Sequence, residues 1–296
     1  MEKSELSLDQ LPTWRRIVAF PLVSLVIALA AAVGTVLATA WLITLIPAGT
    51  LAPVPAMALS AVASVAALFV LMKVLIRHLG EMPRDDLPLA PALPQTGAGL
   101  LAGGWLITLC VGIAWVLGVY TIDGWGGSES AAMIFLQAGL VAGFVEEVLL
   151  RGILFRFVEE FAGSWIALAI SSLAFGFLHH ANDNATLFSS IAIAIEAGIL
   201  LGAAYMYMRS LWLAVGIHAG WNVVQGYVWD VPVSGFQVDG LVDARLEGSA
   251  LLSGGAFGLE ASVIALVVAT AAGIWLLREA EFKGHFIAPR WMRGRG

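Results

Sequence analysis

Long apolar runs are the feature that most limits what this chain can become. A helix needs about 20 apolar residues to cross the hydrocarbon of a bilayer. Eight runs near or above that length occur, at roughly 17–46, 54–76, 97–120, 131–161, 164–179, 185–208, 210–229 and 259–277. Composition agrees: 60% of the residues are hydrophobic and 12% charged, against about 45–50% and about 25% in soluble domains. The expected fold class is all-α, a polytopic membrane bundle of about eight transmembrane helices in an integral, multi-pass membrane protein.

The basic residues give the expected orientation. With the N-terminus inside, Lys3, Arg15, Arg16, Lys73, Arg77, Arg84, Arg151, Arg156 and Arg209 fall on the cytoplasmic side. So do Arg278, Lys283, Arg290, Arg293 and Arg295 of the tail, and of the 15 basic residues only Arg245 falls outside. Positive charge collects in cytoplasmic loops, so both termini are expected to be cytoplasmic. The acids Asp230, Asp239, Asp243, Glu247 and Glu260 gather in the outer loop.

The sequence LATA at 37–40 ends in an A-x-A pattern, but the apolar run around it is too long for the h-region of a cleaved signal peptide. It reads as an uncleaved first span. The single cysteine, Cys110, sits in an apolar run and cannot form an internal disulfide. No repeat or low-complexity stretch interrupts the chain, so 1–296 is expected to be one transmembrane domain. A Pro-rich cytoplasmic connector (78–96), a Gly-rich solvated outer loop (230–258) and a cytoplasmic tail (278–296) join or follow the spans.

Within the fourth span, residues 138–155 read AGLVAGFVEEVLLRGILF. Ionisable groups inside a bilayer are costly, face the protein interior and point to function. Glu147 and Arg151 stand at i, i+4, where acid and base pair along one helix face. Glu146 points about 100° away, free to face a cavity. Taken alone, the cluster reads equally as a structural ion pair pinning neighbouring helices. Two further stretches alter the balance. AFGFLHHAN places Phe175 and His179 one turn apart, and GIHAGWN does the same for His218 and Asn222. If the fourth helix runs past Arg156, all of these residues reach one depth. His180, beside His179, competes for the same assignment. Glu196 in the sixth span reads either as a helix-packing hydrogen-bond group or as a cavity residue.

A carboxylate, two histidines and an amide on three spans suit water activation and oxyanion stabilisation. A carboxylate in a water-poor cavity is a stronger base than one in bulk water, and donors placed where an oxyanion develops contribute a few kcal/mol each. The reaction class is peptide hydrolysis in or at the membrane. An alternative places zinc on Glu146 or Glu147 with His179 and His218 and water as fourth ligand, although no H-E-x-x-H pair is present. No G-x-S-x-G or Walker-type loop occurs, and topology accounts for the basic residues without nucleic acid. The expected partners are membrane lipid and a peptide or protein substrate at the membrane; oligomeric state is left open.

E-E-x-x-x-R at Glu146, Glu147 and Arg151, F-x-x-x-H at Phe175 and His179, and H-x-x-x-N at His218 and Asn222 resemble the three motifs of the CPBP (Abi) family. Type II CAAX prenyl endopeptidases are its eukaryotic relatives. The motif core spans 138–226. The resemblance implies a glutamate-type intramembrane endopeptidase, expected in a bacterial inner or plasma membrane, with no required cofactor and zinc as the alternative. Carried over, Glu146 activates water with His179, His218 and Asn222 form the oxyanion site, and Glu147 and Arg151 orient Glu146. Competing readings are a non-catalytic immunity or scaffold protein of the same fold, and a proton-coupled carrier relaying through Glu146, Glu147 and Glu196. The carrier reading lacks the pseudo-repeat common in transporters.

Overall fold

Proline sets the first helix boundaries in the computed structural model, which describes residues 12–47 and 49–293. Lys3 and Arg295, counted above as cytoplasmic, lie outside the described residues. Helix α1 (Thr13–Ala19) stops where Pro21 opens α2 (Pro21–Thr44), and Pro53 opens α3 (Pro53–Val74). A proline has no N–H to leave unpaired, so the first turn of a helix tolerates it. The chain continues through α4 (Ala92–Val116), β1 (Tyr120–Trp125), α5 (Ala131–Ala162), α6 (Ser164–His179), α7 (Leu187–Met208), α8 (Trp212–Val223), β2 (Val242–Leu246) and α9 (Val263–Phe282).

The protein is a mostly helical, polytopic integral membrane protein. Among the described residues, six helices are long and apolar enough to span a bilayer: α2, α3, α4, α5, α7 and α9. The expected count of about eight is thereby reduced. The run at 164–179 forms only the 16-residue α6, halted by the polar Asn182, Asp183 and Asn184, and the run at 210–229 forms the 12-residue α8 with a wide turn to Val228. Both short helices pack against α7 or α4, where protein covers what lipid would otherwise touch.

The all-α expectation needs a second correction. β1 and β2 pair antiparallel, Tyr120 opposite Leu246 and Trp125 opposite Val242, with a bulge at Asp123. Backbone groups beyond the helix ends need partners, and this ladder supplies them across segments 120 residues apart. The outer loop is thus partly ordered. The Pro-rich connector is also folded, with Asp86 and Leu87 buried.

Glycines let α4 and α8 cross in close contact. A Cβ on Gly103 would strike the Ile217 carbonyl, and one on Gly220 would strike the backbone of Leu100. Such small-residue faces bring membrane helices into backbone contact. Gly220 lies between His218 and Asn222, so this crossing fixes where those two side chains stand.

Helix α5 runs unbroken past Arg156 to Ala162. Much of it, from Ile134 to Phe155, turns in the wider i→i+5 pattern rather than as a regular α-helix, so the 100° step assumed between Glu146 and Glu147 does not apply there. Wide turns are uncommon and collect at functional sites. Arg156 is not a loop residue. It is fully buried, 3.0 Å from Asp86 and 3.6 Å from Glu160.

Candidate active site

Glu147, Arg151 and His218 form a buried unit. Arg151 Nη1 donates to Glu147 Oε1 at 2.9 Å, and His218 Nδ1 meets the same oxygen at 3.0 Å. Arg151 Nη2 reaches the carbonyls of Ala197 and Gly198 on α7 at 3.2 and 3.3 Å. Its guanidinium lies 4.7 Å from the centre of the Phe175 ring, within cation–π range. This arginine therefore ties α5 to α6 and α7 while offsetting the charge of Glu147.

Phe175 is the hinge of the arrangement. Its ring centroid lies 4.5 Å from that of His179 and 5.8 Å from that of His218. The Phe175 carbonyl holds His179 Nδ1 at 2.8 Å, which leaves Nε2 to point away. Gly176 lets α6 come against α7, since a Cβ there would strike the Ser190 carbonyl. His180, by contrast, is exposed and contacts Ser190 Oγ at 3.0 Å.

Glu146 stands apart from Glu147. It lines a cavity of about 150 Å3 with His179, Leu149, Leu150, Leu178 and Asn182, and its Oε2 is buried without a hydrogen-bond partner. His179 is also in the wall of a smaller cavity, which it lines with Phe175, Glu196, His218, Asn222 and Glu260. The motif residues thus border two spaces that share His179, rather than one. Asn222 Nδ2 donates to the Ala138 carbonyl at 2.8 Å, which uses one of its two amide hydrogens.

Among the described residues, no group of three or more His, Cys, Asp and Glu is placed to hold a metal ion. Glu147 Oε1 is taken by Arg151 and His218, while His179 and His218 each have Nδ1 engaged and Nε2 free.

Glu260 and Ser234 were not singled out in the sequence as site residues, yet both line the smaller cavity. The available signal was the setting of Glu260, a lone acid in the apolar stretch GLEASVIALVV. Ser234 carries no such signal, because its backbone N–H makes the contact, to Glu260.

Comparison with known families agrees with the motifs. Residues 128–224 match a family model described as type II CAAX prenyl endopeptidase Rce1-like. Comparisons with curated proteins and with solved structures found no match. The matched segment runs from just before α5 to the end of α8 and contains every motif residue named above. Residues 128–224 of this multi-pass membrane protein are therefore similar to the Rce1-like type II CAAX prenyl endopeptidase family.

Proposed function

We propose that this protein is a glutamate-type endopeptidase that cleaves membrane-associated or lipidated peptides with water activated by Glu146. The observation that carries this reading is the contrast between two adjacent acids: Glu147 is held by Arg151 and His218, whereas Glu146 has no ion-pair partner among the described residues and lines a cavity with His179. Glu146 takes a proton from water as the water oxygen attacks the scissile carbonyl. The same proton then passes to the departing amine. His179, free at Nε2, orients the water.

His218 and Asn222 serve the oxyanion. Glu147 fixes the His218 ring through Nδ1, so that Nε2 donates to the oxyanion once it takes up a proton, while the second amide hydrogen of Asn222 remains available. Removing one such donor costs about 10²–10³ in rate. Arg151 prevents Glu147 from competing for the catalytic proton. No cofactor has a role in this scheme. The bias of the basic residues favours cytoplasmic termini, and the short helices α6 and α8 pack beside the spanning helices around the site.

The test is cleavage of a membrane-anchored reporter by purified protein in vesicles, before and after exhaustive chelation. Full activity after chelation is expected. Loss of activity restored by added zinc contradicts the metal-free scheme, and a membrane proteome with no shortened termini when the protein is expressed counts against proteolysis itself.

A further inference from the structure

The scheme above leaves two buried acids without a task. Glu196 on α7 and Glu260 in the turn before α9 are 2% and 4% exposed, and both line the smaller cavity with His218. Glu260 accepts a hydrogen bond from the Ser234 N–H. Glu196 has no hydrogen-bond partner among the described residues, and its Oε2 is fully enclosed. A buried carboxyl oxygen left unpaired is costly, so this one needs a proton or a ligand.

The size of the space selects between them. The cavity measures about 40 Å3, room for about three waters at about 10–15 Å3 each and too little for the side chain of a lysine or arginine. The surrounding polar groups supply the two to four partners that a buried water requires. Two carboxyls lining one water-poor cavity cannot both ionise freely. Burial pushes the Glu260 carboxyl up to about 7, against the hydrogen bond from Ser234.

We propose that Glu196 and Glu260 form a carboxyl pair that holds one proton between them and connects it, through waters in this cavity, to His218. The pair faces Cys110 on α4 and His218 on α8. His218 in turn faces Glu146, Glu147 and Arg151 on α5 and His179 on α6. As negative charge develops on the substrate oxygen, the shared proton moves through water to His218 Nε2. It returns to the pair when the C–N bond breaks, so no proton is consumed over the cycle. Neither acid touches substrate, and both are positioning residues for His218. The catalytic part of this inference rests on the endopeptidase reading; the pair itself does not.

Infrared and ¹⁵N-histidine NMR spectra of the full protein in lipid, alongside the Glu196→Gln/Glu260→Gln double variant, test it. The wild type is expected to show a protonated-carboxyl band at neutral pH that the double variant lacks, and the His218 ring signals are expected to move in that variant. Glu196→Asp should restore both features in part. An unchanged infrared spectrum, or His218 signals that stay in place, overturns the proposal. Where the wild type cleaves reporter, the pH optimum of the double variant should shift by about one unit. Absence of cleavage in the wild type contradicts the endopeptidase reading and leaves the spectra to decide the pair.

Discussion

Two regions bury charge in this molecule, and they do it differently. At the end of the bundle where the Pro-rich connector meets α5, Arg84, Arg156 and Arg209 meet Asp86, Glu159 and Glu160, three charges of each sign. Tyr205 donates to Asp86 at 2.8 Å and Ser164 to Glu159 at 2.6 Å. Three loose ends remain there: Arg156 Nε and Glu160 Oε1, which face each other at 3.6 Å, and Arg209 Nη2. Around the motif residues, four acids (Glu146, Glu147, Glu196, Glu260) are matched by Arg151 alone. Unpartnered oxygens remain on three of them, Glu146, Glu147 and Glu196. A balanced network that closes on itself holds helices together. An unbalanced one, with three of its acids lining cavities, retains chemical capacity. The number of buried charges does not separate the two roles; the unmatched atoms do.

Substitutions can break this comparison. The largest stability effect is expected at Arg156. Removing one partner of a buried pair costs about 3–5 kcal/mol, so Arg156→Met should lower the thermal midpoint strongly, while activity per folded molecule falls less than tenfold. A collapse of activity in correctly folded variant would show that this network belongs to the site.

Gly220→Ala comes next. Its Cβ would meet the backbone of Leu100, and overpacking of this kind costs about 1–3 kcal/mol. Because α8 carries His218 and Asn222, cleavage should fall by more than the loss of folded protein explains. Equal losses of fold and activity would mean that the crossing supports the bundle without setting the site.

Arg245→Ala marks the small end of the range. Arg245 bridges Asp123 at 3.0 Å and Glu247 at 2.7 Å on the exposed outer sheet, where solvent screens the pair. Neither the thermal midpoint nor the cleavage rate should change measurably. A clear drop in either would give the outer sheet a role that its exposure does not suggest.

The helical membrane architecture was legible because apolar length is a local property. The motif residues stood out for a related reason: Glu146, Glu147 and Arg151 are conspicuous in an otherwise apolar run, and helical spacing makes the Glu147–Arg151 pair readable without coordinates. The rest depended on distant partners. Arg156 looked like a loop residue because its partner, Asp86, lies 70 positions away, in a segment that reads as a polar connector. The β1–β2 ladder joins Tyr120 to Leu246 through stretches that carry Asp and Gly and little alternation. Glu260 was counted among outer-loop acids because its burial comes from α7 and α9 packing beside it. The division of the motif residues between two cavities has no local signature either.

The central claim is that Glu146 is the base, and the most direct measurement is cleavage by the Glu146→Gln variant. The purified variant is assayed in vesicles on the membrane-anchored reporter, with its thermal midpoint recorded alongside. The account predicts an unchanged midpoint and a rate at least about 10² below wild type, the scale of a lost general base. Cleavage near the wild-type rate by a folded Glu146→Gln protein would contradict it.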